Sequence, residues 1–434
     1  MGTSTLDRKI IKLICVTPEN NNKFYIMTKL NDSQWEAQWG RVQGDLNNIN
    51  QGSGQRKIYQ MYDWDKTYRS KTGKGYTDVT HLYEEVVQPV NDNSAKKDPT
   101  SLISDALVRQ LMIDLQRYAS ISVKANYTVS SDNVTQMMVD EAQRELDSIS
   151  SKIKLNGDVH EINEHLLKLY KIIPRKMYHV KEHLIESLSN QKELEKVQKM
   201  IANEQDTLDV MAGQVKLKSQ QKQSVDKQKE AVGTTPEATQ ISLLEQMGLI
   251  IEPASSKEID EIKKFAGPDS NKVKKVFRVT NKLTSQKYDK HFNEVSTKNE
   301  QLYWHGSRNQ NWFNILQTGL LIRPAGAIHT GSMFGDGIYF ANKAAKSIGY
   351  SSFRGSYWTG GSDDKGYLAL FKVNVGKQKH IHRHDSSCYS LSQKHMEREG
   401  FDSVYAHGGA DLRNDEFIIY MAEKCTVSYL VELG

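Results

Sequence analysis

The sequence predicts a multidomain α+β chain, in which a β-rich module is followed by an all-α bundle and then by a mixed α/β domain. Three observations predict it. Residues 6–90 break into short apolar runs separated by turn-forming Asn, Asp and Gly, the pattern of strands. Residues 98–218 carry apolar side chains at helical spacing, and residues 240–434 alternate short β-type runs, glycines and brief helical stretches. At 434 residues the chain has room for two to four domains, each with its own core.

With 38% hydrophobic and 26% charged residues, the composition is that of an ordinary globular chain. It contains no apolar run of about eighteen residues, so no membrane span is expected. Met1–Thr5 leads into charge and a strand-like run, without the segments of a secretory signal. Cys15, Cys388 and Cys425 are odd in number and far apart, so free thiols in a reducing compartment are expected. A net charge of +5 is compatible with nucleic acid, and only its distribution can decide.

In the first module, Lys9–Val16, Lys23–Met27 and Gln34–Trp39 are the strand candidates. Alternation puts Trp35, Ala37 and Trp39 on one face and Glu36 and Gln38 on the other. Arg56 to Tyr76 then mixes six basic side chains with Tyr59, Tyr62, Trp64, Tyr68 and Tyr76. Two readings are open here. The aromatics stack a nucleic-acid end while the bases hold phosphates, or they form half-buried core with a solvated basic rim. Gln51–Gly54 reads as a loop.

Asp98-Pro99 opens the helical region, Asp as cap and Pro in the first turn. Three stripes follow: Ile103, Leu107, Leu111, Leu115 and Tyr118; then Val134, Met137, Met138, Ala142 and Leu146; then Val159, Ile162, Leu166, Leu169, Tyr170 and Ile173, ended by Pro174. Further helices are expected over Lys181–Ser189 and Glu193–Lys218. Residues 219–239 hold few large apolar side chains, and a linker or exposed loop is expected.

In the last domain, Ser255 and Glu258 form a capping box for a helix reaching about Ala266, and Val273–Val279 is a strand. Tyr303-Trp304-His305-Gly306-Ser307-Arg308, Met333-Phe334-Gly335-Asp336-Gly337-Ile338-Tyr339-Phe340-Ala341 and Lys346-Ser347-Ile348-Gly349-Tyr350 come next. Glycines at strand ends admit a flat ligand against the backbone. Two tyrosines and Ser347 suit a planar carboxamide-bearing ring by stacking and hydrogen bonding. Gly335-x-Gly337 lacks the third glycine of a dinucleotide fingerprint.

These blocks, with Asn414-Asp415-Glu416-Phe417-Ile418-Ile419-Tyr420, resemble the catalytic domain of poly(ADP-ribose) polymerases. The N-terminal Trp39-Gly40-Arg41, with Lys71-Thr72-Gly73-Lys74-Gly75-Tyr76 downstream, resembles the WGR module of DNA-dependent members. Residues 98–218 are similar to their helical regulatory domain. The resemblance implies a WGR domain over 6–90, a regulatory bundle over 98–218, a linker over 219–239 and an ADP-ribosyltransferase fold over 240–434.

It further implies NAD+ as a consumed substrate. His305 would hydrogen-bond the adenosine ribose, Gly306 and Ser347 would hold the nicotinamide amide, and Tyr339 and Tyr350 would stack on its ring. Glu416 would bind the nicotinamide-ribose 2′-hydroxyl and activate the acceptor, with Lys346 beside it. Ser307 belongs to the same NAD-binding block, and Arg308 and Arg323 would reach the adenine or pyrophosphate end. Trp39, Arg41, Lys71 and Lys74 would meet DNA.

The function implied is DNA-break-stimulated formation of poly(ADP-ribose) on protein acceptors including the chain itself, by a monomer. Mono-ADP-ribosylation of protein or of DNA ends is the alternative, and from another class a catalytically weak DNA-end-binding scaffold. A nuclear site is implied for a eukaryotic source, and a cytoplasmic, nucleoid-associated one for a bacterial or viral source. His380, His382 and His384 on one strand face, with Cys388, allow a zinc reading. A solvated His-rich strand end is the reading adopted, and no metal is expected.

Overall fold

The computed structural model describes residues 8–42, 54–83, 98–231, 241–322 and 333–434, with backbone alone for 220–231. The chain packs as two units, 1–93 with 122–215 and 94–121 with 216–434.

In the first unit β1 (Ile10–Thr17), β2 (Asn21–Lys29) and β3 (Gln34–Arg41) form an antiparallel meander. β4 (Gln55–Gln60) joins β3 and the two-residue β5 (Thr77–Asp78) joins β1, giving the order β4-β3-β2-β1-β5. The register aligns Leu13, Tyr25 and Trp39 across three strands. Alternation then assigns Ile11, Met27, Trp35 and Ala37 to the same face, where they pack with Trp64. Trp64 opens α1 (Trp64–Thr72) and meets Trp35 edge-on at 5.5 Å. The opposite face buries Ile14, Val16, Phe24 and Ile26, so this sheet is covered on both sides.

The helical region holds α2 (Ala106–Asn126), α3 (Gln136–Lys154), α4 (Val159–Ile172) and α5 (Gln191–Ala231). Asp98 does cap, but a 3-10 turn at Pro99–Leu102, before α2 begins. α3 and α4 belong to the unit that holds the sheet, with α4 packed on β1, whereas most of α2 and the end of α5 belong to the second unit. The stripes also differ in detail. Val108, Leu111, Met112, Leu115 and Ala119 are buried in α2 while Leu107 is 49% exposed. In α3, Val139 is buried and Met137 exposed.

Lys181–Ser189 is a single 3-10 turn at Val180–His183, not a helix. The Asn163 amide explains it, donating to the Ile185 carbonyl and accepting from the Ile185 N–H, both at 2.8 Å. A side chain that satisfies both backbone groups removes the incentive to coil. The backbone of 219–231 continues α5, and 232–239, the rest of the expected linker, lie outside the described residues.

The second unit carries α6 (Leu243–Met247), β6 (Leu249–Pro253), α7 (Ser256–Ala266), β7 (Val273–Asn281), α8 (Lys282–Glu294) and β8 (Glu300–Gly306). Then come α9 (Trp312–Thr318), β9 (Ile338–Phe340), α10 (Ala344–Ile348), β10 (Gly366–Asn374) and β11 (Gln378–Ile381). α11 (Gln393–Glu399), β12 (Ser403–Ala406), β13 (Glu416–Ile419) and β14 (Cys425–Leu433) complete it.

Ser255 and Glu258 form the expected capping box of α7. One sheet runs β6-β7-β14-β10-β8 and the other β11-β12-β13-β9. β10 lies between two partners with nearly every side chain buried, which is why its sequence reads as a continuous apolar run. An antiparallel bridge joins the two sheets, Trp304 with Ala341, whose N–H groups each donate to the other's carbonyl at 2.8 and 2.9 Å.

Candidate active site

That bridge brings the end of β8 against β9 and sets the site. His305 is the next-to-last residue of β8, Tyr339 the middle of β9, and Glu416 the first of β13. β13 pairs with β9, Ile418 opposite Tyr339, while α10, following β9, supplies Lys346 and Ser347.

The His305 Nδ1 lies 3.0 Å from the Tyr339 carbonyl. A carbonyl only accepts, so Nδ1 carries the proton and Nε2 of the neutral ring is an acceptor. Trp312, Phe340 and Phe371 surround the ring at 5.9–6.4 Å. That burial pushes the imidazole below its usual value, against the smaller pull of the Tyr339 carbonyl, and keeps it neutral.

Gly306 has no alternative. A Cβ there would lie 1.9 Å from the Ser347 carbonyl oxygen, so glycine alone lets β8 close on α10, where Ser347 is 4% exposed. The Tyr339 hydroxyl donates to the Gly335 carbonyl at 2.7 Å and accepts from the Phe334 N–H at 3.0 Å. It thereby closes the turn entering β9, and Gly335, at φ +77°, needs glycine there. Tyr350 is half-buried with its ring stacked on Trp358 at 6.0 Å. Burial first, and the Glu416 charge second, push its phenol up to about 12.

Lys346 Nζ pairs with Glu416 Oε1. Burial lowers the Lys346 pKa, and the Glu416 carboxylate opposes that shift. Glu416 Oε2 is buried without a hydrogen-bond partner among the described residues. An orphaned carboxylate oxygen costs about 1–3 kcal/mol or more, and a hydroxyl donor would satisfy it. The site thus offers acceptors to sugar hydroxyls (Glu416 and the imidazole of His305) together with exposed aromatic surface.

Ser307 accepts from the Asn311 amide at 3.0 Å and its carbonyl from Trp312 Nε1 at 3.2 Å, which bends the chain away after β8. Arg308 is half-buried at the next turn. Arg323 lies outside the described residues.

The family model for the poly(ADP-ribose) polymerase catalytic domain matches residues 256–434. The uncharacterized protein 101L of Invertebrate iridescent virus 6 is 31% identical over 205 residues, covering 47% of this chain and 77% of that protein. A poly [ADP-ribose] polymerase-like protein of the same virus, 100L, is 28% identical over 179 residues, 40% of this chain and 91% of its own. Human protein mono-ADP-ribosyltransferase PARP3 is 24% identical over 495 aligned positions, 95% of this chain and 85% of that one. The chain belongs to the poly(ADP-ribose) polymerase family. Its C-terminal domain is that of an NAD+ ADP-ribosyltransferase.

In this polymerase-family domain, the walls around the site residues carry no sequence signal of their own. Trp358 behind Tyr350, and Phe371 and Trp312 around His305, read only as apolar. The structure places the four side chains of the zinc reading in different surroundings. β11 ends at Ile381, so strand alternation does not extend to His384. His380 and His382 stack on His407 at 5.1 and 4.0 Å, His384 bonds the Met333 carbonyl at 2.9 Å, and Cys388 is buried in an apolar cluster. Among the described residues no three His, Cys, Asp or Glu side chains are placed to hold a metal.

In the N-terminal unit, Trp39 stacks on Tyr25 at 5.9 Å, and Lys71 Nζ lies 3.8 Å from the Tyr25 ring centre. Burial first, then Lys74 and Lys23, push the Lys71 ammonium down. Arg41 donates to the Asn20 carbonyl at 3.2 Å, and Lys74 is exposed after α1. Trp39 and Lys71 therefore share one aromatic cluster, with Arg41 at the end of the same strand face.

Proposed function

We propose that this chain is a DNA-break-stimulated NAD+ ADP-ribosyltransferase that builds poly(ADP-ribose) on protein acceptors, itself included. The observation that carries the chemical part is the buried Glu416 Oε2, held beside Lys346 and unpartnered among the described residues. In this reading it accepts the 2′-hydroxyl of the nicotinamide ribose and then draws a proton from the acceptor hydroxyl. As the glycosidic bond breaks, positive charge develops on the ribose and the carboxylate stabilises it. His305, through Nε2, holds the adenosine ribose, and Gly306, Ser347, Tyr339 and Tyr350 hold the nicotinamide. Fixing both ends places the scissile bond against the acceptor. Trp39, Arg41, Lys71 and Lys74 meet the DNA end.

A second reading is mono-ADP-ribosylation, favoured by one observation: the alignment spanning nearly all of this chain is with a protein named a mono-ADP-ribosyltransferase. One experiment separates them. Labelled NAD+ is supplied with intact, nicked and blunt-ended DNA, and nicotinamide release and product length are measured. Polymer made faster with broken DNA is the expected result. Single ADP-ribose units would select the second reading, and equal rates with intact and broken DNA would remove the DNA-dependent part.

A further inference from the structure

Glu416 is the first residue of its strand, where little ladder pairing restrains it, yet it must meet Lys346 on a separate helix. The neighbour Asp415 supplies the restraint. Its Oδ1 accepts from the Gly408 N–H at 2.8 Å, and its Oδ2 accepts from Asn342 Nδ2 at 3.0 Å and from the Tyr405 hydroxyl at 3.1 Å. Three donors from three segments converge on one carboxylate. Asn342 lies in the turn between β9 and α10, Tyr405 in β12, and Gly408 in the loop returning to β13.

Consecutive strand residues point to opposite faces. Tyr405 pairs across the ladder with Phe417 and Ala406 with Glu416. Asp415 therefore shares its face with Tyr405 and Phe417, and pinning it there directs Glu416 to the other. The bond to Asn342 also ties Glu416's strand to the segment that feeds Lys346, four residues further on. These bonds hold the Asp415 carboxylate below its usual value against the opposing effect of burial, so it accepts with both oxygens.

We propose that Asp415 is a positioning residue for the transferase reaction, setting the Glu416–Lys346 geometry through Asn342. The proposal rests on the assignment of Glu416 as the acting carboxylate.

Donor and acceptor chemistry gives the test. D415N turns one acceptor oxygen into an N–H2 group facing donors, and N342D sets two carboxylates against each other. The double variant D415N/N342D exchanges donor for acceptor and restores the link. The full-length chain is assayed for nicotinamide release, with kcat and KM for NAD+ and a thermal melt for each variant.

D415N is expected to lose about tenfold to a hundredfold in kcat, the cost of a misplacement near an ångström, with little change in KM. The exchange variant is expected to recover most of that loss. D415N at the parent kcat would overturn the proposal, as would a folded exchange variant no more active than D415N. E416Q in the same assay keeps the premise separate. E416Q at the parent rate would overturn the Glu416 assignment, and this proposal with it, whereas an inactive E416Q beside a fully active D415N would overturn this proposal alone.

Discussion

Replacing Lys346 by Met tests the buried ion pair at the centre of the site. The paired side chains are 13% and 9% exposed, so solvent screens them little. Removing the ammonium strands a carboxylate whose other oxygen already lacks a partner. Breaking such a pair from one side costs about 3–5 kcal/mol, which for a domain of this size lowers the melting temperature by roughly 6–20 °C. K346M/E416Q removes both charges and is expected to be more stable than K346M, because no ion is left unpaired. Scanning fluorimetry of the parent, both single variants and the double variant at pH 7 gives the coupling as a cycle. A K346M melt indistinguishable from the parent's would refute the reasoning, for then the pair is neither buried nor coupled in solution.

Gly306→Ala must force β8 away from α10, since its Cβ would lie 1.9 Å from the Ser347 carbonyl; a rise of at least about tenfold in KM for NAD+ is expected, and an unchanged KM would mean the approach is not needed. His305, depressed by burial, contributes stability that is full above the unfolded imidazole value of about 6.5. That stability is lost as pH falls from there to its lower folded value, because over that range only the unfolded chain takes up the proton. H305Q should therefore lose less melting temperature than the parent between neutral and mildly acid pH, and parallel curves would count against it. In W39A/R41A the ratio of turnover with nicked DNA to turnover without it should fall toward one; survival of the parent ratio would move DNA sensing elsewhere.

Local chemistry was the legible part. The Ser255–Glu258 box involves residues three apart, and Trp35 and Ala37 followed from strand alternation, so both could be read directly. The placing of His305, Tyr339 and Glu416 on three neighbouring strands was legible only through resemblance, since no spacing rule joins positions 305 and 416. Leu107 and Met137 were misplaced because a helical stripe can slide by one residue without disturbing its period. The non-helical stretch after His183 depends on Asn163, twenty-two positions from the Ile185 it holds, and the Asp415 hydrogen bonds reach Asn342 across seventy-three. Such partners are chosen by tertiary packing and leave no local trace.

The Trp304–Ala341 bridge carries one more consequence. Each sheet of the transferase unit has its own cluster of buried side chains, and beside the rung that joins their backbones the Tyr303 and Phe417 rings stack from one sheet to the other at 4.1 Å. Rotating one sheet about that rung would break this stack and the packing of Phe340 on Phe371, so the cleft keeps its width. A dinucleotide that touches β8 on one side and β13 on the other would then meet a cleft already set, and little of its binding would go into closing it.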